Sequence, residues 1–197
     1  MPAIKFRGVD FIQFDSLLTD EERLVRDTTR KFVEENLIPI IEECNRAGRF
    51  PRELVRPMAD LGFFGASLKG YGCAGMGNVE YGLMNQELER GDSGVRSFAS
   101  VQSGLCMYPI YEFGSEEQKR RWLPHLASHW LSAFCLSEPD VGCDAGGQQT
   151  VCTPSADGTY FLLNGEKKLV HLRRPFTTLH CDGEADRRGW QDREEDG

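Results

Sequence analysis

One change of period constrains this chain more than any other feature. From Thr19 to about Ser128 apolar residues recur at helical spacing, and from Leu131 onward they fall at strand spacing. Helices first and strands second is the order of an α+β protein, not of an alternating α/β one. The pattern predicts an all-helical bundle over 1–130, the first strands of a β-domain over 131–168, and a tail over 169–197. That tail carries paired arginines, many acids and almost no apolar periodicity, so it is expected to be disordered.

Within the helical part, residues 1–17 read as a loose arm. Thr19 and Glu22 have the spacing of a capping box, and Leu24, Val25, Phe32 and Ile40 recur on one face of the helix that follows. Pro39 is expected to kink that helix, Gly48 to end it, and Pro51 to open a shorter one to about residue 61. A third helix is expected over 79–90 and a fourth, with Arg96 as its one charged residue, over about 95–108. Asp92 and Ser93 supply N-cap chemistry for the fourth. Gly114 and Ser115 precede a helix opening on Glu116 and Glu117, which Pro124 is expected to end or restart. Strands are expected over 131–136, 148–153 and 159–163, with turns at Asp157-Gly158 and Asn164-Gly165.

Gly70-x-Gly72-x-x-Gly75 fits the dinucleotide-loop pattern letter for letter. A helix stands before it and no strand-helix alternation follows, so it reads as a glycine-rich connection between helices. The 197 residues carry a formal charge of −8, which gives no electrostatic support for nucleic-acid binding. No apolar run approaches a membrane span, and Met1 to Arg7 lacks the apolar core of a secretory signal, so a soluble intracellular protein is expected. Seven scattered cysteines without a Cys-x-x-Cys pair suggest neither a disulfide framework nor a zinc site. His125 and His129 have helical metal-ligand spacing but no accompanying glutamate motif, and read as solvated helix-end residues. The serines at 93, 97, 100 and 103 lack both a nucleophile elbow and a nearby histidine.

Phe134-Cys-Leu-Ser-Glu-Pro-Asp-Val-Gly-Cys-Asp144 interrupts the end of an apolar run with a turn. A strand end of this kind offers backbone N–H groups, and Ser137 adds a hydroxyl, which suits a polar, planar ligand. Glu138 and Asp144 would repel phosphate if they faced it, so the residues alone leave the ligand open.

The wording of this stretch, with Leu163-Asn-Gly-x-Lys167 downstream, resembles the flavin-binding segment of the acyl-CoA dehydrogenases, and the resemblance covers roughly 14–168. It implies FAD held by Phe134, Cys135, Leu136, Ser137, Gly142 and Cys143, with Cys143 also near the substrate. The family usually has Ser at Cys143, and a thiol is the weaker donor. Lys69 to Gly75 and Asp92 to Gln118 look like glutaryl-CoA dehydrogenases in particular. That likeness implies that Arg96 and Ser97 receive the distal carboxylate of a dicarboxylyl thioester, with Glu89 or Asp92 pairing Arg96 beforehand.

The implied reaction removes the α-proton of an acyl-CoA while hydride leaves the β-carbon for the flavin; glutaryl-CoA then loses carbon dioxide to give crotonyl-CoA. Electrons pass to an electron-transfer flavoprotein. Family members are commonly tetramers, in the cytoplasm of bacteria or the mitochondrial matrix of eukaryotes. The family's glutamate base comes from a C-terminal helical domain, and Glu87, Glu89 and Glu138 are not assigned its role. After Lys168 the expected aromatic-Ile-Thr-Asn segment is replaced by Leu169-Val170-His171, as a truncated, frame-shifted or fragmentary reading would produce. An inactive form is therefore expected. The alternative is a non-catalytic helical interaction module.

Overall fold

The computed structural model describes residues 11–168. The expected tail lies outside the described residues. Seven α-helices are described, α1 (Asp20–Phe32), α2 (Ile38–Ala47), α3 (Val55–Asp60), α4 (Asn78–Gly91), α5 (Ser93–Ser100), α6 (Tyr108–Phe113) and α7 (Glu116–Ser128); an antiparallel hairpin of β1 (Val151–Pro154) and β2 (Phe161–Asn164) follows them. The α+β order read from the sequence is the observed one.

Local chemistry sets most of the boundaries. The Thr19 hydroxyl accepts from Glu22 N while the Glu22 carboxylate accepts from Thr19 N, completing the capping box of α1; Ser115 and Gln118 do the same for α7. The Asp92 carboxylate accepts from Val95 N at 2.8 Å and starts α5. Gly48 ends α2 in the left-handed region at φ 63°. The Gly70 to Gly75 connection is the expected loop, with Gly70, Tyr71, Gly72 and Gly75 all at positive φ.

Two of the helix prolines act through the turn before them. Val33–Leu37 and Val101–Met107 are wide π-helical turns, in which Ile38 N donates to Val33 O and Tyr108 N to Ser103 O. Pro39 and Pro109 follow directly. Each lacks the N–H that an α-turn requires, and widening the preceding turn relieves the ring's clash with the carbonyl four residues back. The expected kink at Pro39 is thus this wide turn. The expected helix over 95–108 is α5, a wide turn and α6 in succession.

Leu24 lies off the apolar face within α1 itself, while the surplus residue of the wide turn brings Ile40 into phase with Val25 and Phe32. Leu24 is 65% exposed, while Val25 and Ile40 pack against the core and Phe32 is buried in it. Pro124 does not end α7: Leu123, Leu126 and Ala127 are all buried in the core, and that packing carries the helix across the proline. The arm is less loose than expected from residue 14 onward. Phe14–Leu17 forms a 3-10 turn tied to α1, with Arg26 paired to Asp15 and Arg23 donating to Asp15 O at 2.8 Å.

The core joins α1, α4, α5 and α7 around Phe98, which meets Phe50 and Phe64 edge-on at 5.0 and 5.2 Å. Phe63, Phe64, Ala66 and Leu68 enter it from the non-helical connection between α3 and α4. Gly65 allows this chain to approach α5 and α6, since a Cβ there would lie 2.5 Å from Met107 Cε. Across the bundle, the Glu87 carboxylate on α4 accepts from Arg30 of α1 at 2.7 Å and from Arg90 at 2.9 Å. A fully buried carboxylate is tolerable only when paired in this way.

Candidate ligand site at the junction of helices and sheet

The stretch 131–136 is extended but forms no strand among the described residues. A strand needs a ladder, and among the described residues donors reach the carbonyls at the end of the stretch from the residues after β2 and from one side chain before β1. Lys168 N donates to Ser137 O at 2.9 Å, and Leu136 O receives Gln148 Nε2 at 2.9 Å and Lys167 Nζ at 3.2 Å. Pro139 O is taken by the Lys168 ammonium at 2.5 Å. The donors are left differently. Among the described residues, Glu138 N and Val141 N bond each other's carbonyls, at 2.9 and 3.3 Å, while the N–H groups of Leu136, Ser137 and Gly142 make no bond.

Among the described residues this end of the segment is therefore donor-rich, with the carbonyls of Leu136, Ser137 and Pro139 taken and the N–H groups of Leu136 and Ser137 to spare. Such an edge matches the carbonyls and ring nitrogens of a planar acceptor, or an oxyanion. Glu138 does not face it. The carboxylate is buried, 3% exposed, and accepts from Gln149 N, Thr150 N, the Thr150 hydroxyl and the Lys167 ammonium. The repulsion expected from Glu138 is absent for that reason. Phe134 and Leu136 are exposed beside the edge and Ser137 is half-buried, while Gly142 and Cys143 lie exposed in the following turn.

Arg96 sits on α5, six residues before a fully buried glutamine that joins the helices to this segment. Gln102 Nε2 donates to Leu126 O at 2.9 Å and Trp130 O at 2.8 Å, while its Oε1 accepts from Ser132 N at 2.9 Å and the Ser132 hydroxyl at 2.7 Å. Sequence reasoning missed Gln102, although a single amide in a charge-poor apolar helix was the available signal. Arg96 is 34% exposed and its Nε donates to Glu89 Oε2 at 2.6 Å, with Nη1 reaching the Ser100 hydroxyl at 3.3 Å. Of the two expected partners Glu89 takes the pairing, because the Asp92 carboxylate is spent on the cap of α5. Ser97 is half-buried on the same helix and its carbonyl accepts from the Ser100 hydroxyl.

None of the three glutamates left without a catalytic role is a poised base. Burial would raise the Glu87 pKa, but the bonds from Arg30 and Arg90 hold it below the ordinary value. Glu89 is lowered by Ser93 and then Arg96. Glu138 is lowered to about 2, chiefly by Lys167, then Thr150 and Gln149 N. A general base at neutral pH needs the opposite shift. Ser103 is engaged as well: its hydroxyl accepts from Gly65 N and donates to Phe63 O. His125 is exposed with its ring stacked on Trp130 at 4.7 Å, and His129 Nδ1 lies 2.8 Å from the Ser128 hydroxyl. Among the described residues no helix is long and apolar enough to cross a membrane.

The hairpin turn has its own carboxylate anchor. Asp157 accepts from the Ser155 hydroxyl, Thr159 N and the Thr159 hydroxyl, and its pKa falls to about 2. Asn164-Gly165, expected as a turn, is instead the end of β2 and a point of close approach: a Cβ at residue 165 would lie 2.2 Å from Thr150 Oγ1. Both anchoring carboxylates have folded pKa values depressed from 4.5 and 3.8. Their contribution is present above those values and is lost as pH falls through about 2. Amide signals of Thr150 and Thr159 followed by NMR are expected to hold their positions to about pH 3 and shift with midpoints near 2. Midpoints near pH 4 would show that neither anchor exists in solution.

The profile of the acyl-CoA dehydrogenase N-terminal domain matches residues 19–129. A glutaryl-CoA dehydrogenase of Mycobacterium smegmatis, solved in complex with FADH2, has TM-score 0.77 and 44% identity, over 80% of this chain and 41% of that one. A short-chain specific acyl-CoA dehydrogenase of Megasphaera elsdenii is 38% identical over 161 residues, 79% of this chain and 42% of its own length. A 3-(aryl)acrylate reductase of Clostridium sporogenes is 35% identical over 154 residues, 77% of this chain and 40% of its own. The 197 residues thus span about two fifths of the length of the relatives they match. With more than half of its residues matched by that profile, the chain belongs to the acyl-CoA dehydrogenase family.

Proposed function

We propose that this chain is the helical and first β portion of an FAD-dependent acyl-CoA dehydrogenase acting on glutaryl-CoA. The observation that carries the reading is the donor-rich edge at Leu136 and Ser137, joined through Gln102 to the helix that bears Arg96. Phe134, Cys135, Leu136, Ser137, Gly142 and Cys143 are the cofactor contacts, and Arg96 with Ser97 the carboxylate receptor; Cys143 also faces the thioester. A bound flavin supplies the two-electron acceptor. This chain's residues present hydrogen bonds to the ring edge and fix the far end of the acyl group.

The domain boundary falls at about residue 130, where Trp130 and Ser132 are both held by Gln102. An electron-transfer flavoprotein is the electron acceptor and a homo-oligomer the assembled form, as the resemblance implies. Among the described residues Glu87, Glu89 and Glu138 are all held below the ordinary carboxylate pKa, the reverse of what the base needs, so the isolated polypeptide is expected to bind flavin weakly and to turn over no substrate.

Fluorescence titration of the purified chain with FAD tests the cofactor: quenching that saturates is expected, together with no oxidation of glutaryl-CoA by an artificial electron acceptor. Oxidation above background would overturn the inactive reading, and flavin emission unchanged by the protein would overturn the cofactor reading. A second reading has its own observation. Val151, Phe161, Leu162 and Leu163 leave both faces of the hairpin exposed, as a non-catalytic interaction module would. A colourless protein that captures one defined partner would favour it.

A further inference from the structure

The buried carboxylate of Glu138 serves neither as base nor as ligand contact in the reading above, yet it is the most heavily bonded side chain of the sheet region. Its four donors come from two other stretches of chain: Gln149 N at 2.6 Å, Thr150 N at 3.1 Å and the Thr150 hydroxyl at 2.6 Å before β1, and Lys167 Nζ at 2.8 Å after β2. Its own backbone closes the turn with Val141. One carboxylate thus ties three segments together.

The ties have a directional consequence. Lys167, held by Glu138, also donates to Leu136 O, and the adjoining Lys168 N takes Ser137 O. Gln148, next to the Gln149 amide that Glu138 binds, takes Leu136 O a second time. The carbonyls of residues 136 and 137 are therefore satisfied from the Glu138 side, and among the described residues the N–H groups of the same residues remain for a ligand. Gly165 makes the arrangement possible, because any side chain there would push Thr150 away from the carboxylate.

We propose that Glu138 is a positioning residue for the cofactor segment: it fixes Lys167, Gln149 and Thr150 so that Leu136 and Ser137 present donors, not acceptors, to the bound ring. The proposal rests on the reading of that segment as flavin-binding. Glu138 is the natural choice for the task because four donors occupy its oxygens, so it cannot itself compete for the ligand. Glutamine keeps the reach and one acceptor oxygen but turns an amide N–H₂ toward donors. Alanine removes every tie.

The test uses the full 197-residue chain with E138Q, E138A and K167M, read by FAD fluorescence titration, by amide hydrogen exchange, and by helical melting in far-UV circular dichroism. E138A is expected to weaken FAD binding by about tenfold or more, the equivalent of at least one misplaced hydrogen bond, with E138Q and K167M between it and the unaltered chain. Exchange at Gln149 and Thr150 is expected to quicken while the helical melting midpoint stays within about 2 °C, since no helix bonds to Glu138 among the described residues. FAD affinity of E138A within about twofold of the unaltered chain would overturn the proposal. Should the unaltered chain bind no FAD, the cofactor reading itself fails. Hydrogen exchange then decides the ties alone, and unchanged rates at Gln149 and Thr150 in E138A would remove them too.

Discussion

Arg96→Gln is expected to weaken the binding of glutaryl-CoA by about tenfold to a hundredfold and to leave butyryl-CoA within about twofold. The magnitude is that of hydrogen bonds to an ionised partner, about 1.5–3 kcal/mol, at about 1.4 kcal/mol per tenfold. Glutamine retains polarity but is shorter and loses both the charge and the fork that grips a carboxylate with two parallel bonds. On the proposed reading the incoming carboxylate competes with Glu89, which holds Arg96 Nε at 2.6 Å. Glu89 can leave at little cost because its side chain is half exposed and water replaces the arginine. Isothermal titration of the two thioesters against the unaltered and altered chains checks this. Equal losses for both would remove the carboxylate role and leave Arg96 as a surface residue.

The second large effect is on stability. Phe98→Ala is expected to cost about 3–5 kcal/mol and to lower the melting midpoint by roughly 6–20 °C. Phe98 is 0% exposed and is the ring through which Phe50, before α3, and Phe64, between α3 and α4, meet α5. Its removal takes away two edge-on aromatic contacts and leaves a void in the core. Phe98→Leu, which keeps most of the volume, is expected to cost less than half as much. Urea denaturation of the three proteins measures the difference, and a loss below about 1 kcal/mol for alanine would mean the site collapses around the gap. The buried side of α5 also sets the rotation of the helix, so this change is expected to weaken the proposed carboxylate receptor at Arg96.

The parts of the fold that could be read in advance are those governed by chemistry within a few residues. Thr19 with Glu22, Asp92, Ser115 and Gly48 each set a helix boundary through a bond or a backbone angle that their own type dictates. The errors share a different cause. Whether 131–136 is a strand depends on a partner elsewhere in the chain, and periodicity within the segment carries no information about that partner. Leu24 was grouped with its neighbour Val25, although adjacent residues of a helix stand about 100° apart and only Val25 shares the face of Phe32.

The candidate site divides in the same way. The counter-ion of Arg96 could be narrowed to Glu89 or Asp92 by distance along the chain, while its role came from the resemblance and not from the residue itself. Glu138 was legible as a residue but not as an orientation. Its inward direction depends on Lys167, 29 positions away, and on the space left by Gly165. Gln102 was missed because its four bonds all go to groups 24 to 30 residues distant.

The two π-helical turns also mark where this polypeptide can change length. A regular helix advances about 100° per residue, so deleting one residue inside α4 would rotate everything after it off its packing face. Val33–Leu37 and Val101–Met107 each hold one residue more than a regular helix would need. Removing that surplus residue restores ordinary winding while the flanking faces keep their orientation, and these are the places where related sequences can differ by a single-residue gap without loss of the bundle.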